Sequence, residues 1–231
     1  MKKIIKKTTF ACTIPAIFIS GSVIADSSYV TGNVQFHDGD IHGSEITSTL
    51  EAGHTFDNSL GGLTLLTEFD DIQLGELTGE TNSAPYVTLG MEQSINVNSH
   101  FWVAVGYHHL VANGDTVQYR PLVKVGYNFD NGWSISNRTR VHIDATSVEN
   151  DADVRMDNRI SYAVADTQLT LSYNNVYLIA GDTKDGSSRD NTMDHELRAT
   201  WTRKGVQPYF EFRNQADNQN NALVFGASYG F

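Results

Sequence analysis

Arginine and lysine recur at positions of one parity in three successive stretches of this chain. Arg120 and Lys124 lie within 118–128, Arg138 and Arg140 precede His142, and Arg155 and Arg159 flank Asp157. In extended chain, residues two apart share a face, so each stretch would present its basic groups on one side. Arg198 and Arg213 repeat the pattern further on. A guanidinium offers a planar fork of N–H donors that matches a carboxylate, so such an array is suited to holding a carboxylate-bearing solute. Acidic residues show the same spacing elsewhere: Glu51, Glu68, Asp70 and Glu92 early in the chain, and Glu196 and Glu211 beside Arg198 and Arg213. Two readings follow. A basic track facing an acidic one would create a transverse field across a passage, or the two signs would pair and fill a narrow interior.

The elements that must position these groups are strands. In Trp133–Asp144 the odd positions are mostly apolar, while the even ones run Ser, Ser, Arg, Arg, His, Asp. That period of two marks a strand with one apolar and one wet face. The same reading gives twelve strands, near 28–37, 45–56, 62–73, 84–95, 101–111, 116–129, 133–144, 154–164, 167–179, 192–203, 206–215 and 221–231. Connections after even-numbered strands are short, and Asp130-Asn131-Gly132 carries the chemistry of a tight turn. Connections after odd-numbered strands are mostly longer and more polar, as in 74–83 and 180–191. Short turns alternating with long loops, and an even strand count, predict an all-β, twelve-stranded antiparallel transmembrane β-barrel rather than a sandwich. Phe56, Phe101, Tyr127, Phe129, Trp133, Tyr162, Trp201, Tyr229 and Phe231 cluster at the short-turn ends, where an aromatic girdle would meet a membrane interface.

Length and composition agree. The chain has 231 residues, 40% of them apolar, with one Cys and a formal charge of −11. The acidic balance argues against a nucleic-acid partner, and one Cys rules out a disulfide framework or a Cys-rich zinc site. Lys2, Lys3, Lys6 and Lys7 precede an apolar run to Ile24, and Val23-Ile24-Ala25 suits cleavage before Asp26. We therefore expect a secretory signal peptide at 1–25 and a barrel over 26–231. Removing the four leader lysines from 16 Lys+Arg leaves 12 against 27 Asp+Glu, a net charge of −15. If the apolar faces meet lipid, the other set lines a lumen, and eight of the twelve basic residues of the mature chain fall on that set.

The run Val117–Gly132, with Tyr119-Arg120-Pro121 at its centre, and the following Ser136-Asn137-Arg138-Thr139-Arg140 resemble the oligogalacturonate-specific monomeric porins, the KdgM family that includes the N-acetylneuraminate porin. The terminal Leu223–Phe231 segment is similar to the last strand that outer-membrane proteins present to their assembly machinery. The resemblance implies a monomer in the bacterial cell outer membrane, in contact with its lipids and lipopolysaccharide. It also implies passive diffusion of acidic oligosaccharides through a narrow pore lined by Arg120, Lys124, Arg138, Arg140, Arg155 and Arg159, without a cofactor. Arg198, Arg213, Glu51, Glu68 and Glu92 complete the expected lining. Strands two to four depart from the family pattern by being acidic, which leaves a less charged sugar or another uronate open. Trp102 and Tyr209 have inward parity, where an aromatic face would let a sugar slide.

Other constellations read more plainly. His42-Gly43-Ser44 has the His-x-Ser spacing of an outer-membrane phospholipase, the one enzyme alternative, but sits in a polar loop without a third member. The rings of His108 and His109 point to opposite faces. His142 and Asp144 read as a hydrogen-bonded lumen pair. Asp182, Asp185 and Asp190 lack the spacing of a calcium loop. Asn137-Arg138-Thr139 matches a glycosylation sequon, which has no meaning in a bacterial outer membrane. The chain is therefore expected not to be an enzyme; a plugged structural or adhesin barrel is the third reading.

Overall fold

The computed structural model describes residues 27–39, 44–74, 84–145, 150–217 and 219–231; the expected leader and His42-Gly43 lie outside them. Within them the period-two stretches form twelve strands: β1 Ser27–His37, β2 Ile46–Asn58, β3 Gly61–Gln73, β4 Tyr86–Asn96, β5 Phe101–Ala112, β6 Asp115–Asn128, β7 Trp133–Asp144, β8 Asp153–Ala163, β9 Leu169–Ile179, β10 Thr192–Trp201, β11 Val206–Gln215 and β12 Asn220–Gly230. Each pairs antiparallel with its sequence neighbours, and β1 closes on β12 to complete the barrel. The seam is sealed at its end by reciprocal bonds between Ser28 and Phe231, at 2.8 and 2.9 Å. Closure leaves no unpaired edge, as a sheet in hydrocarbon requires. The expected boundaries hold to within two residues at every strand.

Burial follows the alternation, with the polar set inside. Arg120, Arg140, Arg155 and Arg213 are enclosed, whereas Leu89, Met91, Val105, Val123, Leu197 and Phe225 stand roughly half exposed on the outer face. In water that distribution would be inverted; in a bilayer the outer face is the one solvated by lipid. At the short-turn ends the aromatic girdle forms stacked and edge-to-face pairs. Tyr127 meets Phe129 at 4.8 Å, Trp133 meets Tyr162 at 4.6 Å and Tyr229 meets Phe231 at 5.7 Å. No helix of the described residues is long and apolar enough to cross a membrane; the crossing is made by strands.

The opposite end carries the longer connections, with two exceptions, β5–β6 and β11–β12. β5 and β6 are joined by Asn113-Gly114 alone, both with positive φ (54° and 84°), the backbone of a tight two-residue hairpin. On the far side, Arg189 of the β9–β10 loop ties itself to the Asp153 carboxylate and donates from Nε to the Gly181 carbonyl at 2.6 Å. Asn150 bridges to Thr183 in the same region, so the β9–β10 loop is tied to the residues that lead into β8.

Candidate lumen site

The cross-strand register decides which inward groups meet. Lys124 lies directly across from Arg138, Arg140 from Arg155, and Arg138 from Asp157. Further round, Glu196 faces Arg213 and Arg198 faces Glu211. Every sequence-expected lining residue is on the inner face: Glu51 on β2, Glu68 on β3, Glu92 on β4, Arg120 and Lys124 on β6, Arg138 and Arg140 on β7, Arg155 and Arg159 on β8, Arg198 on β10 and Arg213 on β11. Among the described residues, the strands β1–β5 place no Lys or Arg inside.

Carboxylates grip several of the cations. Asp157 accepts from Arg138 Nε at 2.8 Å and from Arg155 Nε at 3.0 Å, with Arg140 Nη2 at 4.0 Å. Glu211 accepts from Arg198 Nε at 2.6 Å and from Arg213. Glu92 pairs with Lys124 and with His108 Nε2, the latter at 2.9 Å. Gln118 receives Arg120 Nε at 2.8 Å and donates to Asp144 at 2.7 Å. Arg120 Nη2, Arg140 Nε and Nη2, Arg159 Nε and Arg198 Nη2 are nonetheless buried without any hydrogen-bond partner among the described residues. Since burying an unpaired donor of a charged group costs about 1–3 kcal/mol or more, these arginines have donor capacity that the barrel itself does not use.

One expectation is corrected and one is only partly met. The acidic and basic arcs oppose each other in part: in a closed ring of twelve, β2 stands opposite β8 and β4 opposite β10, while β6 and β7 look across at β12 and β1. The acidic arc β2–β4 and the basic arc β6–β8 are neighbours across β5, joined by the Glu92–Lys124 pair. The His142–Asp144 pair does not form. Asp144 sits across from Gln118 and takes its amide, while His142 Nε2 has no hydrogen-bond partner among the described residues. Residues two apart on one strand lie about 6.6 Å from each other, whereas a cross-strand partner is nearer. His108 and His109 do point apart, His108 to Glu92 and His109 Nε2 to Thr116 at 3.0 Å. Of the phospholipase-like tripeptide only Ser44 is described, and its hydroxyl donates to the Ile46 carbonyl at 2.9 Å.

Trp102 and Tyr209 face inward but lie flat on the wall. The Trp102 ring covers Gly126, where a Cβ would come within 2.2 Å of it, and Tyr209 covers Gly226 at the same separation. Arg198 stacks on the Tyr209 ring at 4.0 Å. Tyr29 covers Gly53 in the same way, an arrangement that parity alone could not reveal because the glycine partners are set by register. These rings therefore serve wall packing, with little face left for a sugar.

The porin-specific segment of the sequence now has its counterpart in geometry. Residues 80–223 match the family model described as oligogalacturonate-specific porin protein (KdgM). The chain belongs to that family. Among solved structures, it is similar to a KdgM porin at 17% identity and a TM-score of 0.64, covering 88% of this chain and 99% of that one. The NanC porin follows at 12% identity and 0.63, covering 87% and 98%. The COG4313 outer membrane channel from Pseudomonas putida F1 is similar at 12% identity and 0.69, covering 95% and 100%. No curated protein matches the sequence. This KdgM-family member is thus an outer-membrane porin, and the families and structures it resembles are channels rather than enzymes.

Proposed function

We propose that this porin passes acidic oligosaccharides by facilitated diffusion, with the arc β6–β8 and the flanking β10–β11 as the arginine-lined part of its pore. The observation that carries the reading is the set of buried guanidinium N–H groups on Arg120, Arg140, Arg159 and Arg198 that have no acceptor among the described residues. A solute carboxylate arriving there supplies what the barrel lacks, through charge-assisted bonds strong enough to attract and spread over enough sites to release. A solved relative is described as a KdgM porin in complex with disordered oligogalacturonate, which supports a uronate oligomer as the solute class. The acidic arc of Glu51, Glu68, Asp70 and Glu92 offers acceptors to sugar hydroxyls on the neighbouring side, and it restrains the preference for small anions. The working unit is a monomer set in outer-membrane lipid and lipopolysaccharide.

The test is the reversal potential of the purified protein in a planar bilayer across a KCl gradient. Arg138→Ala combined with Arg140→Ala shifts it toward cation selectivity; an unchanged value would remove the basic arc from the conduction path.

A further inference from the structure

One arrangement occurs twice in the lumen. On β8, Asp157 lies directly across from Arg138 of β7 and two residues from Arg155 on its own strand. On β11, Glu211 lies directly across from Arg198 of β10 and two residues from Arg213 on its own strand. In both, one carboxylate holds two arginines, each oxygen taking the Nε edge of a different guanidinium. The bonds are Arg138 Nε to Oδ2 at 2.8 Å and Arg155 Nε to Oδ1 at 3.0 Å, then Arg198 Nε to Oε2 at 2.6 Å and Arg213 to Oε1. Both carboxylates are enclosed, Glu211 almost completely. Counted from the short-turn ends at Ala163 and Val206, Asp157 is six residues along β8 and Glu211 five along β11. The two clips therefore sit at nearly one level of the pore, three strands apart.

A carboxylate that only neutralised an arginine could meet the guanidinium end-on, occupying its terminal nitrogens. Here the grip is on the Nε side of each guanidinium; Arg213 Nη1 in turn donates to Gln35 Oε1 at 3.0 Å, which anchors that arginine to the wall. Arg198 is further fixed by the Tyr209 ring beneath it, and its Nη2 has no partner among the described residues. Arg140 and Arg159, beside the clips, likewise carry unpartnered donors.

We infer that Asp157 and Glu211 are positioning residues: each holds the arginine across from it, Arg138 or Arg198, by the Nε edge, with Arg155 or Arg213 bracing the other carboxylate oxygen, so that the terminal nitrogens of Arg138 and Arg198 form stations for a solute carboxylate, giving the pore two stations at one level. This inference rests on the acidic-solute reading above. It makes a prediction opposite to simple electrostatics, under which deleting a negative charge from a basic wall strengthens every interaction with anions.

The experiment is single-channel recording with trigalacturonate as the blocker, on protein whose folding is verified by heat-modifiable migration. In Asp157→Asn the reversal potential moves toward anion selectivity, yet the dissociation constant for block rises about tenfold, the equivalent of one charge-assisted bond. Glu211→Gln does the same independently. Asp157→Glu keeps the charge and displaces the oxygens, so it weakens block while leaving the reversal potential in place; it carries the test if the neutral variant does not fold. Block that strengthens along with anion selectivity, or that stays unchanged in these variants, overturns the positioning role. Absence of block in the wild-type protein overturns the acidic-solute reading, and the stations with it, before any variant is made.

Discussion

Arg140 is the most informative single substitution. Among the described residues its Nε and Nη2 are buried without a hydrogen-bond partner, the nearest carboxylate oxygen is Asp157 Oδ2 at 4.0 Å, and its direct cross-strand neighbour is another arginine, Arg155. Arg140→Ala therefore removes no hydrogen bond among the described residues and relieves a like-charge juxtaposition, while Asp157 keeps Arg138 and Arg155. The barrel should fold at least as well as the wild type. A solute carboxylate resting on Arg140, by contrast, loses a charge-assisted bond worth about 1.5–3 kcal/mol. At about 1.4 kcal/mol per decade, the dissociation constant rises on the order of 10- to 100-fold. The assay is the concentration dependence of trigalacturonate block of the single-channel current, with a neutral trisaccharide of the same length as control. The neutral sugar should be unaffected. A folded, conducting Arg140→Ala porin whose trigalacturonate block is unchanged would refute the reasoning that unpartnered guanidinium donors select the solute.

Other consequences concern the frame. Gly126→Ala and Gly226→Ala drive a Cβ to 2.2 Å from the rings of Trp102 and Tyr209, so each should destabilise the barrel by about 1–3 kcal/mol, read from denaturant unfolding in lipid vesicles. Val123→Arg places a charge on the lipid face, where Val123 is half exposed; it should cost about 2–4 kcal/mol in the same assay, a penalty that an aqueous-facing site would not show. At the outer rim, the backbone N–H and the side-chain amide of Asn221 hold the exposed Asp38 carboxyl below the usual range. A depressed carboxylate contributes stability that is present above its ordinary titration and fades as pH falls through the lowered value. Protection of the Asn221 amide in hydrogen exchange should accordingly persist at mildly acidic pH and drop only under strong acid, and should be absent at all pH values in Asp38→Ala.

How much of this was legible in the sequence varied with the distance over which the information acts. Strand identity is local: Trp133–Asp144 announces its two faces residue by residue, and the same parity placed Arg120, Arg138, Arg155, Glu51 and the others inward. Pairing is not local. The expected His142–Asp144 bond failed because Gln118, from the preceding strand, occupies Asp144. The expectation of basic and acidic walls face to face is met only in part, at β2 against β8 and β4 against β10, because linear order does not display a ring, in which β3 and β7 are a third of a turn apart rather than opposite. The same limit hid the use of Trp102 and Tyr209, whose partners Gly126 and Gly226 are defined only by register. It also hid the clips: Arg155-x-Asp157 and Glu211-x-Arg213 can be read in the chain, but Arg138 and Arg198 join them only across the sheet.

In the function proposed above, guanidinium donors left unpartnered by the barrel choose a carboxylate-bearing sugar. The most direct measurement is the block of single-channel current by trigalacturonate set against an equally long neutral oligosaccharide, on wild-type protein in a planar bilayer. Half-block by the acidic trimer is expected at a concentration at least about tenfold lower, the worth of one charge-assisted bond. Equal half-block by the two sugars, or stronger block by the neutral one, would contradict it.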